Sequence, residues 1–97
     1  MADYWVSFRI AESGHPKRYD AFTEAMNDNG TGFWDGPTSF VCIRSSLTIS
    51  TLGTHLKDAI DPRQDLFVIR EIGKDNTRYA GVMGDGFEAF FPNAKKL

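Results

Sequence analysis

An α+β domain, one antiparallel sheet with two helices on one face, is the fold class that this 97-residue sequence predicts. Two observations carry the prediction. Between Thr38 and Gly73, two short apolar runs, Ser39 to Arg44 and Leu66 to Ile72, flank a segment in which Ile49, Leu52, Leu56, Ala59 and Ile60 recur at helical spacing. Ahead of that stretch the chain shows the same alternation once already, an aromatic-aliphatic strand from Tyr4 to Ile10 followed by a helical pattern.

Taken in order, Tyr4 to Ile10 places Tyr4, Val6, Phe8 and Ile10 on one face and Trp5, Ser7 and Arg9 on the other, and the first face reads as core. Pro16 suits the first turn of a helix, where its missing N–H needs no partner, and Tyr19, Phe22 and Met26 then follow at helical spacing. Asn29-Gly30 stops that helix. Asp35-Gly36-Pro37 interrupts two extended runs and predicts a hairpin of a short second strand and a longer third. Thr48 or Ser50 caps the second helix, and Asp61-Pro62 ends it, because a residue before proline is disfavoured in helical geometry. The order β, α, β, β, α, β is the ferredoxin-like arrangement, with a core at about residues 4–73. The C-terminal segment, about 74–97, reads two ways. Arg78 to Met83 suits another strand, and Gly86 to Phe91 suits either its partner or a short helix capped by Asp85 and limited by Pro92. The stripe Phe87, Phe90, Phe91 and Ala94 favours the helix.

Length and composition bound the rest. A chain this short buries only roughly 60 to 70% of its unfolded surface, so residues 1–97 form one domain. With 25% charged residues and a net charge of -2, the chain is not built to hold nucleic acid by bulk charge, although a local basic patch remains open to it. A single Cys excludes an internal disulfide, and neither a signal-like leader nor a long apolar run is present, so a cytoplasmic protein is expected. Two helices cover one side of a sheet whose fourth strand is apolar on both sides. A second copy of the chain, docking through Trp5, Phe40 and Val68, is the expected cover for the open side; a folded-back tail is the alternative.

No self-sufficient catalytic, metal or cofactor motif emerges. His15 and His55 stand forty residues apart without ligands at zinc spacing, and both read as surface residues. Cys42 reads as a small buried hydrophobe within a strand. Asp58, Asp61 and Asp65 cluster near the end of helix two without the spacing of a calcium loop, and solvation at a helix end accounts for them. The more specific set is Arg9, Arg44 and Arg70, which alternation puts on the face of Trp5, Phe40 and Leu66; guanidinium groups beside aromatic rings suit a phosphate or nucleic-acid contact. Pairing with Glu12, Glu71 or nearby Asp residues is the competing role.

The ordered series YWVSFRI, KRYDAFTEAMNDNG, TSFVCIRSSLTISTLGTHLKDAID and DLFVIREIG resembles the small CRISPR-associated Cas-two family and its SinR-like relatives over about residues 4–73. The resemblance implies a ferredoxin-like homodimer that is either a metal-dependent nuclease or a nucleic-acid-binding scaffold. The family's metal-binding Asp closes strand one, where this chain has Arg9. That departure points to a non-catalytic binding or scaffold protein contacting nucleic acid, without metal or cofactor. A small endoribonuclease of toxin type that uses another carboxylate, or a protein-binding accessory factor, is the alternative.

Overall fold

The structure, a computed structural model, describes residues 1–37, 39–73 and 76–97. Thr38, just ahead of the apolar run Ser39 to Arg44, and Lys74 and Asp75, at the start of the C-terminal segment, lie outside the described residues. The elements are β1 (Ala2–Arg9), α1 (Lys17–Asp28), β2 (Gly32–Trp34), β3 (Phe40–Ser45), α2 (Ile49–Lys57), β4 (Leu66–Glu71), β5 (Arg78–Tyr79), α3 (Phe87–Phe90) and β6 (Lys95–Lys96), with a 3-10 turn at Glu12–Gly14.

Alternation in β1 works as the sequence implies. Tyr4, Val6, Phe8 and Ile10 are buried with Val41 and Ile43 of β3 under Phe22 and Met26 of α1 and Leu52 and Leu56 of α2. Phe67 and Ile69 of β4 pack on the same cluster. The first four strands form a sheet in the order β2-β3-β1-β4, and every neighbouring pair is antiparallel. Both helices therefore lie against one face. Two boundaries differ from the sequence pattern, and one of its two candidate caps is selected. Pro16 is the N-cap of α1 and precedes its first turn. Thr48, not Ser50, caps α2, its hydroxyl accepting from the Thr51 N–H at 3.3 Å. The helix ends at Lys57, because Ala59 and Ile60 bond back to Leu56 and Lys57 in a tightened last turn, yet both side chains still reach the core.

One carboxylate ties the ends of this layer together. The Asp65 side chain has no solvent exposure and accepts from Ala11 N–H at 2.8 Å, Asp61 N–H at 2.9 Å, and Arg18 Nε and Nη2 at 2.8 and 3.2 Å. Solvation at a helix end thus does not account for Asp65. Arg18 reaches it by lying across Gly14, where an added Cβ would come within 2.7 Å of the guanidinium and 2.8 Å of Ile10. Ser13 completes the link by donating to Gln64 at 2.8 Å. The Arg18 guanidinium, together with the N–H groups of Asp61 and Ala11, holds the Asp65 carboxyl well below the usual carboxylate range.

The tail divides between the two readings of the sequence. The extended segment shrinks to β5, which pairs in parallel with β6, and the aromatic stripe forms the single turn α3. Its N-cap is Gly86 rather than Asp85, in the left-handed region at φ 95°, a conformation that glycine adopts without a Cβ penalty. The tail packs on the face opposite α1 and α2, which is the alternative cover for that face.

Two stability predictions follow from this packing. Leu56→Ala removes a fully buried side chain and should cost about 2–5 kcal/mol in denaturant titration. The adjacent exposed His55→Ala should leave the midpoint nearly unchanged. Because folding lowers the Asp65 pKa below its unfolded value near 4, its contribution is complete above that value and fades as pH falls through the folded one. The denaturant midpoint of the native chain should therefore fall with acidification below about pH 5. Asp65→Ala should start lower at neutral pH and show a shallower acid dependence, with Asp61, also lowered, supplying the slope that remains.

Candidate functional site

The face opposite α1 and α2 is a grid set by strand register. Trp34 of β2, Cys42 of β3, Trp5 of β1 and Arg70 of β4 form one row across the sheet. Phe40, Ser7 and Val68 form the next, Arg9 stands opposite Leu66, and Arg44 stands opposite Asp3 near the other end of β1. Arg9, Arg44 and Arg70 do share this face. They do not converge: six residues of extended strand, about 20 Å, separate the positions of Arg9 and Asp3 along β1.

Arg44 is occupied. Its Nε and Nη2 donate to the two Asp3 carboxylate oxygens at 2.7 and 3.1 Å, Nη2 also donates to Ala89 O at 3.2 Å, and the guanidinium carbon lies 5.5 Å from the centre of the Phe90 ring. The pairing that competes with an anion site thus holds for Arg44, with Asp3 as the partner. Arg9 and Arg70 are exposed and make no ion pair among the described residues.

The tail covers the β2–β3 half of the face. Trp34 packs edge-on against Phe87 at 5.2 Å and Phe91 at 6.5 Å, its indole N–H donates to Met83 O at 3.0 Å, and Tyr79 and Phe91 each lie 5.0 Å from Phe87. Trp5 and Phe40, stacked at 5.6 Å, pack against this cluster from the sheet side. Between sheet and tail a cavity of about 390 Å³ opens, walled by Trp5, Trp34, Phe40, Tyr79, Phe87 and Phe91, with Arg78 and Asn76 among its polar lining residues. Beyond it, Leu66 and Val68 of β4 remain 48% and 55% exposed. Of the three residues assigned to a dimer contact, Val68 is therefore open, and Trp5 and Phe40 stand at the seam between tail and bare sheet.

The nucleophile and metal questions resolve locally. Cys42 has no exposed surface, and burial, helped by the Asp3 charge, pushes its thiol up to about 12. The His15 ring stacks on Tyr19 at 4.9 Å and its Nε2–H donates to Ile10 O at 3.1 Å. Among the described residues no three His, Cys, Asp or Glu side chains group in a way that would hold a metal ion. No described helix is long and apolar enough to cross a membrane. The arrangement offers an aromatic slot with the exposed Arg70 on the same row as Trp5 at its wall, a ring and a cation that suit a planar, anionic group.

The sequence pattern did not mark Trp34, Tyr79, Phe87 and Phe91 as lining residues. The signal present was aromatic density, four rings between Tyr79 and Phe91, in a segment too short to bury them by itself. No protein-family model matches this chain, and no curated protein matches it.

The buried thiol gives a direct check on this face. Cys42 should stay unreactive toward a disulfide reagent at pH 8 in the native protein and react stoichiometrically once denaturant is added. Rapid native labelling would show that the tail does not seal this part of the sheet.

Proposed function

We propose that this chain is a non-catalytic, homodimeric binding module of the ferredoxin-like, Cas-two-like type, which contacts single-stranded nucleic acid at the seam between tail and sheet, beside the bare strip that a second copy covers. The observation that carries the reading is the row in which Trp5, at the wall of the aromatic cavity, stands beside the exposed Arg70. Bases stack on aromatic faces without regard to sequence, and a neighbouring guanidinium meets the phosphate that follows. The β1–α1–β2–β3–α2–β4 order, with β1 between β3 and β4, supports the fold reading. Arg9, which supplies fixed positive charge and no acceptor where the family has its metal-binding Asp, favours binding over metal-dependent cleavage.

A second copy would sit on the half of the face that the tail leaves bare, over Leu66 and Val68, with Trp5 and Phe40 at its margin. A specific interface of that kind buries on the order of 1,200–2,000 Å² in total. The two Arg9 side chains would then need carboxylates such as Glu12 or Glu71, or a bound phosphate, to relieve their repulsion.

Fluorescence anisotropy with labelled single-stranded RNA and DNA tests the binding, and light scattering at micromolar concentration tests the assembly. Binding should weaken steeply with salt, and Arg9→Ala and Arg70→Ala should each reduce the salt slope by about 0.7. Trp5→Ala should cost about 1–3 kcal/mol if one base stacks there. Added magnesium or manganese should produce no cleavage. A clean monomer with no affinity for either strand at low salt, or hydrolysis that a chelator abolishes, would falsify the proposal.

A further inference from the structure

The cavity between sheet and tail is walled by rings and ringed by cations. Its described lining residues include no Asp or Glu, in a chain that has 13 of them against 11 Lys and Arg. The polar groups of the lining are consecutive, Asn76, Thr77 and Arg78, where the chain runs into β5.

Arg78 is exposed; its Nη1 donates to Thr77 O at 3.0 Å, and it makes no ion pair among the described residues. The parallel register of β5 and β6 sets the exposed Lys95 opposite Arg78. Like charges so placed repel one another, and neither has a carboxylate partner among the described residues. A bound anion relieves that repulsion. On the sheet side the exposed Arg70 stands opposite Trp5, so cations flank the slot from both layers.

Volume sets how much of a ligand enters. About 390 Å³ lies near the low end of the roughly 300–1,000 Å³ that small-molecule sites span, room for one ring system and its substituents but not for a run of stacked bases. Charge sets which part of a ligand is held. A phosphate monoester carries roughly 1.5 to 2 negative charges at pH 7, more than the diester within a strand, and paired cations suit the larger charge.

Resting on the nucleic-acid reading of the same slot, we propose that the cavity takes a single nucleotide unit with a terminal phosphate, its base between the rings and its phosphate on Arg78, with Lys95 beside it. A heteroaromatic ring joined to a phosphate monoester occurs both in a free mononucleotide and at the phosphorylated end of a strand. Arg78 belongs to the tail and Arg70 to the sheet, so substitution separates this contact from the one along the strand.

Both tryptophans of the chain wall the cavity, and their fluorescence reports its occupancy. Adenosine 5′-monophosphate should quench it to saturation, adenosine should bind about tenfold more weakly, and inorganic phosphate alone should leave the signal unchanged. Arg78→Gln should weaken the mononucleotide by about tenfold and Lys95→Gln by a smaller factor, each with the native thermal midpoint because both side chains are exposed. A single-stranded oligoadenylate with and without a 5′-phosphate distinguishes the sources. Tighter binding of the phosphorylated strand than of the mononucleotide, lost in Arg78→Gln, supports the proposal with a strand end as ligand; equal or weaker binding supports it with the free nucleotide as ligand. No quenching by the mononucleotide at millimolar concentration, or an affinity unchanged by removing its phosphate or by combining Arg78→Gln with Lys95→Gln, overturns the proposal. Strand binding that depends on Arg70 but on neither Arg78 nor the 5′-phosphate overturns it and leaves the nucleic-acid reading standing. Mononucleotide binding that Arg78→Gln weakens, with no affinity for either strand, supports the cavity assignment and sinks the strand reading.

Discussion

The buried carboxylate of Asp65 is the constraint on which the helical layer depends. It gathers donors from three places in the sequence: Ala11 after β1, Arg18 in α1, and Asp61 after α2. A buried carboxylate that loses its partners is strongly unfavourable, so an arrangement that parts these segments is penalised even where its apolar packing is adequate. By bringing the exit of β1 to the entry of β4, the cluster fixes the pairing of the two strands, and the helix-facing residues Phe67 and Ile69 follow onto the core.

That pairing makes the sheet two-sided. On one side α1 and α2 bury Phe22, Met26, Leu52 and Leu56 against alternating residues of β1 and β3. On the other, the same alternation presents Trp5, Phe40 and Cys42, and the tail answers with Phe87, Phe90 and Phe91. The tail is only a partial cover, since a one-turn helix between two-residue strands spans β2 and β3 but leaves Leu66 and Val68 bare. A cavity between sheet and tail and an exposed apolar margin on β4 are the outcome of that mismatch in width.

The arginines show how position decides role among chemically identical groups. Arg44 lies where the tail crosses the sheet, and a fork of hydrogen bonds to Asp3 with Phe90 at its flank makes it a clamp for α3. Arg9 and Arg70 lie on the bare half and keep their charge available to a ligand. In a chain of net charge -2, two such groups give a local contact rather than a broad electropositive surface, which fits a ligand held as much by stacking as by charge.

Apolar periodicity and turn signals by themselves determined the strand and helix order through β4, the helix faces through Phe22, Met26, Leu52 and Leu56, and the assignment of Trp5, Phe40, Arg9, Arg44 and Arg70 to one face, because these follow from patterns that are local to each element. Helix boundaries were less legible: Ala59 and Ile60 keep the apolar pattern while the backbone has already tightened out of α2. Only the tertiary structure decided that Asp65 is a buried hub, that Arg44 is paired while Arg70 makes no ion pair among the described residues, and that three tail aromatics wall a cavity with Trp5. Each of these depends on which residues distant in the chain become neighbours across strands and loops, and that is settled by packing the whole set of faces at once, not by the pattern within any one of them.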